Sequence, residues 1–310
     1  MPGQTVGMQN PTSVIMIRPE AFAVNAETAI DNSFQARSGA EGDLEAALAE
    51  FDAMKNQLST AGVRVLSFAQ ERDDTPDAVF PNNWFSTHES GLVVTYPMFA
   101  PSRRKERRQD ILEAMATMHK VSGVMDLSGN EVDAKFLEGT GAIVFDHTKR
   151  IAFMAQSLRA DADLLIELCG SLGYEPAIFT AVDGDGYPIY HTNVMMSVGE
   201  KVSLVGFDTA ADPDEQKMLR DEFAASTNLV IELSSEQIAS FAGNALEVQG
   251  ADGPVLVISG TGWNALRPAQ RTLIEAELTV ITPGLKTIEK SGGSARCMMA
   301  GVHLPLRPMI

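Results

Sequence analysis

The sequence predicts an α/β fold in which five copies of a strand, strand, helix, strand unit close as a ring around one axis. Three observations predict it. Short β-branched and apolar runs alternate with segments whose apolar residues fall at helical spacing. Five marker positions, Asn83, Glu138, His191, Gly243 and Cys297, stand 55, 53, 52 and 54 residues apart, and a period of that size held over five units denotes a repeat architecture. Finally, the apolar run that Cys297 opens has no partner near it in the chain. It is expected to pair with the N-terminal run 14–17, so that the first and last strands complete one unit.

Taken in order, residues 13–18 (SVIMIR) read as a buried strand ended by Pro19. A polar loop follows through Gly42, and its length and polarity make residues 25–42 a candidate lid. Leu44, Ala47, Leu48, Phe51, Met54 and Leu58 give helical spacing over 44–62, and 63–68 is the next strand. A charged turn at 69–76 leads into the Asp77 to Trp84 stretch. The second copy has a strand at 92–96, a helix at 102–118 and a strand at 124–127. After Glu138-Gly139-Thr140-Gly141 come a hairpin (142–145 with 151–154), a helix at 160–170 and a strand at 176–180. His191 precedes the hairpin 194–198 with 202–205. The helix after it has Asp212 as N-cap and Pro213 at its first position, and a strand follows at 229–233. The fourth copy begins near Gly243-Asn244, with hairpin 245–248 and 255–258, helix 268–277 and strand 279–282. No linker or composition break interrupts the series, so one domain is expected over 1–310.

Composition bounds the function. With 45% hydrophobic and 21% charged residues the chain has the make-up of a soluble globular protein. A net charge of -17 argues against nucleic acid and against an anionic membrane surface as partners. No apolar run approaches the roughly 20 residues that span a bilayer. Residues 1–10 lack a signal-peptide pattern, which points to the cytoplasm. Two cysteines, Cys169 and Cys297, make no disulfide framework, and no metal-ligand spacing occurs. Cys169 sits with Leu165, Ile166 and Leu172 on the apolar face of a helix and reads as core.

A cysteine alone is usually a small buried hydrophobe. Here the repeat brings Cys297, His191 and Glu138 to equivalent places around one axis, and these are the parts of nucleophilic catalysis. Following a Gly-Gly-Ser turn, Cys297 is expected at the mouth of the site, where it would attack an electrophilic carbon. His191 would move protons, to the leaving amine and then from water. Glu138 would hold the imidazole or contact substrate nitrogens. His88 reads as a strand residue, and His119, His147 and His303 as surface or packing residues.

Four segments carry a family resemblance: 76–83 (PDAVFPNN), 100–106 (APSRRKE), Leu137-Glu138-Gly139, and Gly292-Gly293-Ser294 before Cys297. They resemble the pentein fold of guanidino-group modifying enzymes, which includes dimethylarginine dimethylaminohydrolase, arginine deiminase and amidinotransferases. The resemblance covers nearly the whole chain. The run 80–88 (FPNNWFSTH), with Tyr190-His191-Thr192-Asn193, is closer still to a bacterial subgroup of citrulline-utilisation hydrolases. The resemblance implies a five-bladed α/β propeller with a central active site and a covalent mechanism at cysteine. It implies no metal and no organic cofactor, and a small amino-acid substrate; a homo-oligomer is compatible with it. Carried onto this sequence, Asp77 would contact side-chain nitrogens, with Phe80, Asn82 and Asn83 in the same substrate loop. Arg103 or Arg104, and Arg159, would bind the amino-acid carboxylate, for which a planar guanidinium is suited.

The sequence departs from the dimethylargininases at Asn82 and Asn83, where they carry two acids. Amides both donate and accept and leave the pocket less negative, which suits a neutral ureido group as in citrulline. Asp77 and Glu138 remain to hold a guanidinium, so both substrate classes stay open. Transfer of the amidino group to an amine instead of water uses the same residues. A pentein that only binds a partner, as ribosome anti-association factors do, lacks the cysteine and histidine retained here.

Overall fold

In the computed structural model, residues 8–36 and 40–307 are described. They contain five three-stranded sheets of one topology. The chain begins with β1 (Ser13–Arg18), crosses through α1 (Asp43–Thr60) and returns as β2 (Arg64–Ala69), parallel to β1. The second sheet has β3 (Phe85–Thr87) antiparallel to β4 (Leu92–Thr95), then α2 (Gln109–Met118) and the parallel β5 (Gly123–Asp126). The third has β6 (Val144–Asp146), β7 (Ile151–Ala155), α3 (Ala162–Leu172) and β8 (Glu175–Phe179). The fourth has β9 (Met196–Ser197), β10 (Val202–Val205), α4 (Pro213–Ala224) and β11 (Leu229–Glu232). The fifth has β12 (Leu246–Gly250), β13 (Gly253–Val257), α5 (Pro268–Glu277) and β14 (Thr279–Ile281). Last, β15 (Ala300–Val302) pairs antiparallel with β1, Ser13 opposite Val302, and so supplies the missing strand of the first sheet.

Local chemistry explains the elements. In α1 the buried residues Ala47, Phe51, Met54 and Leu58 form one stripe that packs with Val14 and Met16 of β1. Helix α4 starts as expected: the Asp212 carboxylate accepts from the Asp214 and Glu215 amides, and Pro213 lies at the first position, where its missing N–H costs nothing. The middle strands β7 and β10 are buried along their whole length, as strands covered on both faces must be. No helix of the described residues is long and apolar enough to cross a membrane.

Four local expectations are corrected. The helix expected over 102–118 is broken into Pro101–Arg104 and α2, because Arg103 turns inward and pairs with buried Glu106 in the intervening loop. Cys297 does not open a strand: the Cys297 and Met298 amides both donate to the Ser294 carbonyl, closing a turn before β15. Single helical turns at Gly139–Ala142 and Thr192–Val194 delay β6 and β9 by two residues each. Ile166 is exposed, although Leu165 and Cys169 beside it are core.

Candidate active site

The strands β3, β6, β9, β12 and β15 are each entered through a tight turn, and these turns pack on one another at one end of the axis. A Cβ at Gly139, which has a left-handed φ of 43°, would stand 2.7 Å from the carbonyl oxygens of both Asn82 and Asn83. One at Gly243 would stand 2.5 Å from the Val194 carbonyl oxygen. Close backbone approach between neighbouring turns is what brings side chains from distant parts of the chain together.

Glu138 is fully buried. Its Oε2 meets His191 Nε2 at 2.8 Å, and its Oε1 accepts from the Phe99 amide at 3.0 Å. Two guanidinium groups approach the same carboxylate, Arg159 at 3.6 Å and Arg103 at 3.8 Å. Burial alone would raise the Glu138 carboxyl. Arg159, the His191 hydrogen bond and Arg103 more than offset it and hold it at about 2, so it stays ionised. Burial lowers the His191 imidazole below its ordinary range, against the pull of Glu138, and the resting ring is neutral near pH 7.

The Cys297 sulfur accepts from two side-chain amides, Asn244 Nδ2 at 3.2 Å and Asn193 Nδ2 at 3.4 Å. Asn244 Nδ2 also reaches the Asn193 carbonyl at 3.0 Å, and Asn244 Oδ1 accepts from the Arg296 amide at 3.1 Å. One side chain therefore ties the nucleophile's turn to the neighbouring one. Two donors aimed at one sulfur stabilise negative charge on it. At 2% exposure Cys297 lies in the pocket wall and not at its mouth, which corrects the expectation from the flexible Gly-Gly-Ser approach.

Residues 25–36 lie across the opening. Asn25 Nδ2 donates to Asp77 Oδ2 at 2.9 Å, and Thr28 Oγ1 to the same oxygen at 3.3 Å. Asp31 takes the Arg159 guanidinium in a forked pair, Nε to Oδ2 at 2.8 Å, while Arg159 stacks over Tyr190 with 4.9 Å to the ring centroid. Asn32 Nδ2 reaches the Gly292 carbonyl at 3.4 Å. Residues 37–39 of the expected lid lie outside the described residues. Burial pushes the Asp77 carboxyl up, against Arg103 and the Asn25 bond, and Asp77 Oδ1 has no partner among the described residues.

The pocket is lined by Cys297, His191, Asp77, Phe80, Asn83, Arg103 and Arg159, with Glu138 directly behind His191. Two expected residues are not brought to it. Arg104 donates to the Met98 and Phe99 carbonyls and lies 3.5 Å from Glu131. Asn82 is buried beside the pocket, and neither its side-chain nitrogen nor its oxygen has a partner among the described residues. Arg103 reaches the pocket with its guanidinium already engaged by Glu106, Asn83 Oδ1 and the Phe80 carbonyl, so it holds the 80–83 turn in place. Asn193, Asn244 and Glu106 were not read as site residues. Asn244 adjoins the fourth repeat marker, and that placement was its signal. Among the described residues no cluster of His, Cys, Asp or Glu has the geometry to hold a metal ion.

The N-terminal domain of ArgZ, an arginine dihydrolase from cyanobacteria bound to substrate, superposes with a TM-score of 0.74 at 18% identity, over 94% of this chain and 98% of that one. Unliganded AgrE gives 0.75 at 18% identity, over 96% of this chain and 40% of that one. Dimethylarginine dimethylaminohydrolase from Pseudomonas aeruginosa with citrulline gives 0.65 at 17% identity, over 94% and 99%. Curated protein sequences yield no match. The family model described as N,N-dimethylarginine dimethylhydrolase, eukaryotic, matches residues 18–304. With five sheets of one topology and a match over nearly its whole length, the chain belongs to that family, within the pentein superfamily of guanidino-modifying proteins.

Proposed function

We propose that the protein is a cysteine-dependent hydrolase that cleaves a C–N bond of a guanidino or ureido group on an arginine- or citrulline-like amino acid. The observation that carries this reading is the meeting, in one pocket, of a sulfur held by two amides and an imidazole paired with an ionised carboxylate. The Cys297 sulfur adds to the central carbon of the substrate group. His191, oriented by Glu138, takes the proton that the thiol gives up as it adds and passes it to the amine, the C–N bond breaks, and an S-amidino or S-carbamoyl adduct remains. The neutral ring then takes a proton from water as it attacks the adduct, the C–S bond breaks, and the thiol is restored. A carbamoyl adduct yields carbamate, which falls to ammonia and carbon dioxide.

Arg159 is the group suited to the substrate carboxylate, and Asp77 Oδ1 is an acceptor for its N–H groups. Asn83 Nδ2 is a buried donor with no partner among the described residues, which a ureido oxygen would satisfy and a guanidinium, having only donors, would not. That contrast supports the ureido substrate. Related solved structures hold arginine-dihydrolase substrate and citrulline, so both classes belong in the test.

The experiment is product release from arginine, methylated arginines, agmatine and citrulline, with Cys297→Ala as control. Ornithine and ammonia from citrulline are expected. Citrulline from arginine or a methylated arginine would keep the mechanism and discard the ureido preference. Turnover that survives in Cys297→Ala would sink the proposal.

A further inference from the structure

We propose that the axis carries a second ligand site, a chamber behind the catalytic turns that binds one small oxyanion. Each of the five sheets contributes to its wall, and the chamber has about 50 Å³ of free space, room for one small anion. Arg296 and Cys297 are consecutive, yet Arg296 lines the chamber and Cys297 the pocket. The two cavities are thus neighbours through one turn.

Charge gives the first argument. The chain carries a net charge of -17, yet the ionisable side chains lining the chamber are His88, His147, His303 and Arg296, with no Asp or Glu among them. The other two guanidinium groups of the protein's interior at the pocket are each answered by carboxylates: Arg103 by Glu106, Arg159 by Asp31. Arg296 is different. Its recorded side-chain bond runs from Nη1 to the Met299 carbonyl at 2.9 Å, and among the described residues its Nε and Nη2 meet no acceptor. A planar guanidinium with one edge unclaimed is shaped for an oxyanion.

Unpaired buried donors give the second. His88 is buried; its Nε2 bonds Ser86 Oγ at 2.8 Å, and its Nδ1 has no partner among the described residues. Ser197 Oγ, on the same wall, is buried and unpartnered as well. Leaving such groups without a partner is unfavourable, and a bound acceptor would offset that cost. His147 Nδ1 is held by the Tyr174 hydroxyl at 2.7 Å, so its Nε2 is the nitrogen left for a ligand, and the His147 and His303 rings lie 4.2 Å apart. Beyond the histidines an outer vestibule adds Arg150 and Tyr174, and one carboxylate, Glu89.

The histidines also give the site a pH signature. Burial lowers all three: His88 to about 3, with repulsion from His303 and Arg150; His303 to about 4, with repulsion from Arg296 against a backbone bond to Met8; and His147 well below its ordinary range, with repulsion from His303 and His88. Near neutral pH the three rings are therefore uncharged. An anion favours the charged form, so its binding takes up protons and strengthens as pH falls.

The test is calorimetric titration of the full chain at fixed ionic strength with sulfate, and separately with nitrate, at pH 5.5 and pH 8. One saturable site per chain is expected, tighter at pH 5.5, with proton uptake read from buffers of different ionisation heat. The tetrahedral and planar probes tell which oxyanion shape the chamber takes. Arg296→Gln should weaken binding by about tenfold or more, the worth of a charge-assisted hydrogen bond. Should that variant not fold, His303→Gln is expected to bind more weakly and to take up fewer protons. Crystals grown in selenate should show the anion beside Arg296. No saturable binding, binding unchanged in the variants, or selenate seen only at Arg159 would overturn the proposal.

Discussion

Glu138 sets the electrostatics of the pocket, since a neutral imidazole and two guanidinium groups all depend on its charge. Its folded pKa of about 2 lies below the ordinary carboxyl value of 4.5. The stability it contributes is therefore present above about 4.5 and is lost as pH falls toward 2. Glu138→Gln should flatten the dependence of Tm on pH in that window and lower kcat by roughly 10² or more, as loss of an acid–base partner does. A Tm profile identical to wild type between those pH values would contradict the assignment. Gly141 offers a sharper probe, because an added Cβ would stand 2.0 Å from Asn83 Nδ2 and 2.7 Å from His191 Nδ1. Gly141→Ala should displace both side chains and lower kcat at unchanged secondary structure by circular dichroism. At this scale Cys297, His191 and Glu138 were legible because thiol, imidazole and acid recur at one place in a repeat. Asn193 and Asn244 were not, since an amide beside a turn is commonplace and only the fold aims it at a sulfur. The choice between Arg103 and Arg104 stayed open for a similar reason. Which of two adjacent side chains turns inward depends on Glu106, whose carboxyl, raised by burial against the pull of Arg103, stands at about 7.

At the scale of elements, the segment 25–36 matters most. Asp31 occupies the Arg159 guanidinium, and Asn25 and Thr28 occupy one oxygen of Asp77. If Arg159 binds the substrate carboxylate, Asp31 competes with it. Asp31→Asn is then expected to lower KM for substrates bearing a carboxylate and to leave agmatine turnover unchanged. A KM that falls equally for agmatine would rule out this competition. Polarity and length marked the segment as a candidate lid, but pairing across 128 residues is invisible in a single sequence. The broken helix at 105–108 illustrates the reverse limit. Its residues are good helix formers, and the buried Arg103–Glu106 pair overrides that preference.

At the scale of the whole molecule, the ring was legible from spacing alone. Nearly equal intervals between markers point to repeated units, and an orphan strand at one end required a partner at the other, which β1 and β15 supply. The side chains of the chamber were not legible, because His147 and His303 follow no repeat position of their own. We propose that residues 1–310 act as one domain. Ring closure through β1 then makes the five sheets cooperative, so Ile15→Ala, which empties a fully buried position in that strand, should lower stability by roughly 2–5 kcal/mol in a single unfolding transition. Two separated transitions would contradict the single-domain reading. The central claim is that chemistry passes through the sulfur of Cys297. Its most direct measurement is mass spectrometry of the intact protein, quenched during turnover of citrulline or arginine, followed by peptide mapping. The account predicts a carbamoyl or amidino mass addition on the peptide containing Cys297, absent from Cys297→Ala. Turnover with no adduct under any quench, or an adduct located on Cys169, would contradict it.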